Sequence, residues 1–244
     1  PYLLPELIAT HQPRLIAISW VHYQTGYCIP ISELSKACQT YNCHLIVDGT
    51  QAVGAIPINL TQTPVSALTF SCYKWLRCPP GLGYMMISPQ LEDELTLQHA
   101  GVFSAQRPFE FDARTFTPLH SASQFETGNL NVLGIIAMNE SLNWISSINT
   151  PSLTNHVSNR LSLLRDSLEK LSPIPHNETL PYQSSILSFG ISNEQQLQQE
   201  FKDRHITATI RHGLCRLSPA IDMPLSDIKT ACSLILDCPS LSSL

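Results

Sequence analysis

The stretch His44-Leu-Ile-Val-Asp-Gly-Thr-Gln51, followed a short interval later by Ser71-Cys-Tyr-Lys-Trp-Leu76, decides the fold. In each case an apolar run stops abruptly in polar residues, as a buried strand does where it emerges from a sheet. Residues 45–47 and 67–70 are therefore read as strands, and residues 15–18 and 83–87 carry similar apolar runs. Between residues 15–18 and 45–47, residues 30–41 predict a helix with Ile31, Leu34, Ala37 and Cys38 on one face. Apolar strands alternating with helix or loop predict an α/β sheet buried on both faces. In such sheets ligands collect beyond the carboxyl ends of the strands, and Asp48 and Ser71 both stand there.

Downstream, residues 101–124 are aromatic and irregular and read as a loop crossing a surface. A helix follows over 133–144, then a polar break at 146–152. The next helix is amphipathic, with Val157, Leu161, Leu164 and Leu168 on one face. Pro173, Pro175 and Pro181 punctuate a loop. A strand (185–189), a helix (194–204), a strand (207–210) and a closing helix from Ser226 complete a small α+β domain. The expected division is a large α/β domain over 1–145 and a C-terminal α+β domain over 146–244. The first strand is reached almost at once after Pro1-Tyr-Leu-Leu-Pro5, so the start reads as a cut inside a larger protein.

The bulk numbers narrow the function classes. A net charge of -5 without a basic run argues against a nucleic-acid partner. No apolar run approaches the roughly 20 residues that span a bilayer, so no membrane role is expected. The eight cysteines are scattered without C-x-x-C spacing, which reads as reduced thiols in a cytoplasmic protein. The nine histidines show no metal-ligand spacing, and no metal is expected.

The polar residues at the two strand ends form a specific inventory: a carboxylate (Asp48), an amide (Gln51), a hydroxyl (Ser71), a phenol (Tyr73) and an amine (Lys74). Taken singly, Lys74 is an ordinary lysine at a strand end, and Asp48-Gly49 an ordinary turn. Together they suit pyridoxal phosphate, which needs an amine for a Schiff base, a carboxylate at its pyridinium nitrogen, and donors for its ring oxygen and phosphate. The flanking Tyr73 and Trp75 supply the partial desolvation that favours imine chemistry at Lys74.

Val47-Asp-Gly-Thr-Gln-Ala-Val-Gly54, Ser71-Cys-Tyr-Lys-Trp-Leu76 and Pro79-Pro-Gly-Leu-Gly83 resemble the core of class V aminotransferase-fold enzymes. That group includes cysteine desulfurases, selenocysteine lyases, kynureninases and several transaminases. Phe125-Glu-Thr-Gly-Asn-Leu-Asn131 and Arg211-His-Gly-Leu-Cys-Arg-Leu-Ser-Pro219 are similar to two further family segments, in the right order. The resemblance implies an aspartate aminotransferase-like fold with a mixed, mainly parallel sheet, incomplete because the family's upstream third has no counterpart. It also implies a homodimer. Lys74 would carry the Schiff base and move protons at the substrate Cα. Asp48 would pair with the pyridinium nitrogen, Gln51 with the ring hydroxyl oxygen, and Ser71 and Tyr73 with the phosphate. Asn129 stands where relatives often place a threonine that reaches the neighbouring subunit's phosphate. Tyr23 stands where some relatives have an asparagine that touches the cofactor. Arg216 matches the arginine that clamps the α-carboxylate of an amino-acid substrate, a task suited to its fixed fork of donors.

The shared motifs do not select the reaction. Cysteine desulfurases carry a nucleophilic cysteine on a mobile loop ahead of the clamping arginine. Here Cys215 is bonded directly to Arg216 on what reads as a strand, which disfavours that chemistry. A transaminase, a β-eliminating lyase or a kynureninase-like hydrolase remains. The rival expectation is a truncated or degenerate chain retained as a binding partner, because a lost phosphate-binding helix N-terminus weakens cofactor affinity.

Overall fold

The computed structural model describes residues 3–110, 114–147, 150–176, 179–180 and 182–241. These fall into two compact units. The first comprises Pro1–Ile18, Ile31–Thr50 and Asn59–Asn143, and the second Ser19–Pro30, Gln51–Ile58 and Trp144–Leu244.

The first unit opens with a helix that the sequence patterns do not reveal, α1 (Leu4–His11). It begins with Pro5 in its first turn, where a missing N–H costs nothing. A four-stranded sheet follows in the spatial order β1 (Leu15–Ser19), β2 (His44–Asp48), β3 (Ala67–Ser71) and β4 (Gly83–Ile87). Strands β2 and β3 run parallel, and β3 and β4 antiparallel, so the sheet is mixed as expected. Helix α2 (Ile31–Thr40) joins β1 to β2 and buries Ile31, Leu34, Ser35 and Cys38. Ser35 takes the fully buried place expected of Ala37, and its hydroxyl is satisfied by donating to the Pro64 carbonyl at 2.5 Å. A short helix, α3 (Pro89–Glu94), is capped by Ser88, whose side chain accepts from the Leu91 N–H.

Burial on both faces holds only at the centre of this sheet. Leu45, Val47, Ala67 and Leu68 are buried, whereas Leu15 of β1 is 50% exposed and Tyr84 and Met85 of β4 are exposed. Among the described residues each of these strands has one hydrogen-bonded neighbour, and a strand at the margin of a sheet has fewer covered side chains than a central one. Apolar content alone does not distinguish the two.

Helix α4 (Val132–Ser147) is longer than the predicted 133–144. Its start is set by Asn131, whose Oδ1 accepts from the Gly134 N–H at 2.9 Å while its Nδ2 donates to the Gly81 carbonyl at 3.3 Å. One side chain therefore caps a helix and holds the loop that follows Lys74. A Cβ on Gly134 would lie 2.7 Å from Asn131 Nδ2, so glycine makes room for the cap.

The second unit is built on helix α5 (Thr150–Ser167), close behind α4, so the expected polar break is shorter than read. A three-stranded antiparallel sheet runs in the order β5 (Leu187–Gly190), β7 (Leu214–Leu217), β6 (Thr209–Arg211), flanked in sequence by α6 (Glu194–Asp203) and α7 (Leu225–Leu236). Leu161, Leu164 and Leu168 of the α5 region pack with Leu187, Phe189, Leu197, Phe201, Cys215, Leu217, Ile228 and Ile235 in one core. Val157 is also buried, in a smaller cluster with Ile221. Strands β6 and β7 join through His212 and Gly213, both at positive φ (55° and 72°), the backbone of a two-residue hairpin with the right twist.

Beside this core, buried His176 donates from Nε2 to the Ile186 carbonyl at 2.7 Å and accepts at Nδ1 from Arg165 Nη2 at 2.8 Å. Burial, with help from Arg165, holds its pKa below the ordinary 6.5. The unfolded chain then binds a proton that the folded chain refuses, so stability present above pH 6.5 is lost as pH falls below it. Urea unfolding from pH 8 to pH 5 should show this decline, and His176→Gln should flatten it while lowering stability by about 1–3 kcal/mol throughout. In the first unit, Asn131→Ala should cost about 1 kcal/mol in the same assay, and Asn131→Asp, which keeps the cap but sets an oxygen against the Gly81 carbonyl, should recover only part of it.

Candidate active site

Two parallel strands and one tight turn build the site in the first unit. Asp48 ends β2 and lies opposite Thr69 of β3, and the pairing is parallel, so both strands release their chains at the same sheet edge. The Gly49 N–H donates to the Thr69 carbonyl at 2.7 Å, and the Ser71 N–H donates to Thr50 Oγ1 at 3.2 Å. The chain leaving β2 is thereby stitched to the chain leaving β3. Asp48 is exposed, and its Oδ1 accepts from the Thr50 N–H at 2.8 Å, a local turn that occupies one carboxylate oxygen and leaves the other.

After β3 the chain turns tightly. The Cys72 N–H donates to the Leu82 carbonyl at 3.0 Å, the Cys78 N–H to the Cys72 carbonyl at 3.1 Å, and the Arg77 N–H to the Lys74 carbonyl at 2.9 Å. Arg77 takes positive φ (57°) to complete the turn. Buried Cys72 and Leu76 anchor its underside, and the Ser141 hydroxyl of α4 donates to the Leu76 carbonyl. Lys74 stands half-buried at the top, its Nζ 5.0 Å from the centroid of the Tyr73 ring. Tyr73 itself is 46% exposed and Ser71 half-buried.

The structure thus brings Asp48, Ser71, Tyr73 and Lys74 to one sheet edge. Gln51 follows three residues after Asp48, half-buried, at the start of a segment of the second unit. Asn129 is exposed, and the neighbouring Asn131 makes the structural contacts of that segment. Sequence reading passed over Asn131, although an asparagine three residues before a glycine at the start of an apolar helix is a recognisable cap.

Arg216 lies in the second unit, on β7. Its Nη1 donates to the Tyr23 carbonyl at 2.7 Å and its Nη2 to Thr209 Oγ1 at 3.0 Å, while Nε is buried without a partner. Burial, and then the nearby Arg211, lower its pKa. Tyr23 belongs to the loop between Val21 and Cys28, closed by their bridge. Trp20, just before it, is buried and donates from Nε1 to the Tyr182 hydroxyl at 3.3 Å.

Cys215 is fully buried in the core of the second unit, and burial together with Cys238 pushes its thiol up to about 12. All eight cysteines are buried. A thiol in the state of Cys215 is neither a thiolate nor accessible, so it is not prepared as a nucleophile. Among the described residues no group of three His, Cys, Asp or Glu is placed to hold a metal, and no helix is long and apolar enough to cross a membrane.

The donor set fits pyridoxal phosphate: an amine on a rigid turn, and one uncommitted carboxylate oxygen at the end of the adjacent parallel strand. An unpartnered buried N–H on Arg216 fits a carboxylate. Comparisons with known proteins bear on the same residues. A protein named "Probable cysteine desulfurase" from Borreliella burgdorferi is 27% identical over 191 residues, covering 77% of this chain and 45% of that protein. An uncharacterized aminotransferase of Schizosaccharomyces pombe is 28% identical over 175 residues, covering 68% and 43%. The chain therefore spans under half the length of these relatives. The solved structure of the cystine C–S lyase C-DES with its reaction product cysteine persulfide superposes with a TM-score of 0.82 at 19% identity, over 96% of this chain and 64% of that one, a likeness of fold. The aminotransferase class-V family model matches residues 3–222 and so takes in both strand ends, the Lys74 turn and the Arg216 hairpin; the chain belongs to the class V aminotransferase family.

Proposed function

We propose that the protein is a pyridoxal phosphate-dependent enzyme acting on an amino acid, with Lys74 as its Schiff-base lysine. The observation that carries this reading is the parallel pairing that sets Asp48 and the Lys74 turn at one sheet edge. When bound, pyridoxal phosphate supplies an electron sink for bonds at the substrate Cα. Asp48 presents a carboxylate for the pyridinium nitrogen, and its free oxygen suits an N–H donor. Gln51 serves the ring hydroxyl, Ser71 and Tyr73 serve the phosphate, and Asn129 serves the phosphate of the neighbouring subunit's cofactor. Lys74, attached to a turn pinned by three backbone hydrogen bonds, returns its amine to the same place after each release and moves a proton at the substrate Cα. Arg216 takes the substrate α-carboxylate through its unpartnered Nε and remaining N–H groups. The working assembly is a homodimer.

Burial of all eight thiols favours lyase or transaminase chemistry over transfer of sulfur through an enzyme persulfide. Borohydride reduction of the full-length protein loaded with pyridoxal phosphate, followed by peptide mapping, should place the pyridoxyl group on Lys74, and a label elsewhere sinks the assignment. Lys74→Ala should lower turnover by about 10²- to 10⁴-fold. Across a panel of amino acids, ammonia or sulfide release without an acceptor marks a lyase, and dependence on a keto acid marks a transaminase. Either activity should survive alkylation of native protein with iodoacetamide; its loss, with label on Cys215 and a persulfide on that thiol after turnover of cysteine, would overturn this preference.

A further inference from the structure

The hairpin that carries Arg216 holds a second guanidinium for which the reading above has no use. Thr209 pairs with Arg216, and Arg211 lies two residues beyond Thr209 on the same strand. Side chains two apart on a strand share a face, so Arg211 and Arg216 are diagonal neighbours on one face of the sheet, about 7–8 Å apart at Cα. Arg211 is near enough to help lower the Arg216 pKa.

Both cations are held by the same loop. The Arg211 guanidinium lies over the Tyr23 ring, 5.1 Å from its centroid, while the Tyr23 carbonyl accepts from Arg216. Gln24 Nε2 also donates to the Arg211 carbonyl at 3.4 Å, and the Ser188 hydroxyl of β5 donates to the Gln24 carbonyl. This loop orders both side chains without neutralising either. Among the described residues neither arginine forms an ion pair, unlike Arg14 with Glu94 or Arg107 with Glu110. Two like charges on one sheet face repel each other, and one of them also leaves a buried Nε unsatisfied. Such an arrangement becomes favourable when an anion with two charged groups supplies both partners.

Resting on Arg216 as the α-carboxylate site, we infer that Arg211 is a specificity-determining residue for amino acids whose side chain ends in a second anionic group, such as a carboxylate. Arg216 takes the α-carboxylate and Arg211 the distal one, with the Tyr23 ring fixing the approach of the second guanidinium. A neutral side chain of the same length leaves Arg211 without its partner and gains nothing from it.

Equilibrium binding of unreactive analogues to the full-length protein loaded with pyridoxal phosphate separates the two arginines. Succinate should bind at least about tenfold more tightly than propionate. Arg211→Gln should abolish most of that preference with propionate affinity unchanged, and Arg211→Lys should restore part of it. Arg216→Gln should weaken both ligands. Equal weakening of both by Arg211→Gln would mean that the two arginines share one carboxylate, and an unchanged preference would mean that Arg211 is only a surface cation. Absence of succinate binding likewise overturns the inference. If Arg216→Gln alters neither ligand, the failure lies instead in the assignment of Arg216.

Discussion

Parallel pairing of β2 with β3 is the constraint on which the candidate site depends. Parallel neighbours carry their chains out of the sheet in the same direction, so residues far apart in sequence arrive at one edge without any contact between their side chains. The pairing of Asp48 with Thr69 sets the depth at which each chain emerges. The bonds from Gly49 to Thr69 and from Ser71 to Thr50 then remove the freedom of the first residues outside the sheet. A slip of one residue would turn Asp48 to the opposite face, because strand side chains alternate. The buried Leu45, Val47, Ala67 and Leu68 oppose such a slip, since each is packed against one covered face and would have to be repacked on the other. Core packing and site geometry are therefore one constraint.

The second unit uses the same logic on a smaller sheet. One face of β7 delivers Cys215 and Leu217 to the core, and the other delivers Arg216 to the loop around Tyr23. Alternation places a buried thiol directly beside a guanidinium in sequence while pointing them apart in space. Adjacency in the chain is thus no guide to shared chemistry here, and the core environment that raises the Cys215 pKa is the physical reason.

Much of the fold was legible because strand ends and helix faces leave strong periodic traces. The face Val157, Leu161, Leu164, Leu168 was read correctly from spacing, and all four are buried. Exposure of β1 and β4 was not legible, because an edge strand can be as apolar as a central one and only its place in the sheet order separates them. The His212-Gly213 turn was also missed. The segment drew attention for its arginines, while the hairpin signal, two residues able to take positive φ between short strands, lay between them. Asn131 was overlooked for a related reason: its neighbour Asn129 matched a family pattern, whereas its own role depends on reaching Gly81 across the fold.

By itself the sequence determined the chemical inventory and the family pattern: a carboxylate and an amine at the ends of apolar runs, an arginine in a family-like segment, and thiols without ligand spacing. Those are properties of residue type and local order, which a chain carries before it folds. The tertiary structure alone decided which of these groups share an edge, that every cysteine is buried, and that Arg211 and Arg216 face the same loop without forming an ion pair among the described residues. Each of those depends on strand register and burial, quantities set by contacts between residues distant in the chain.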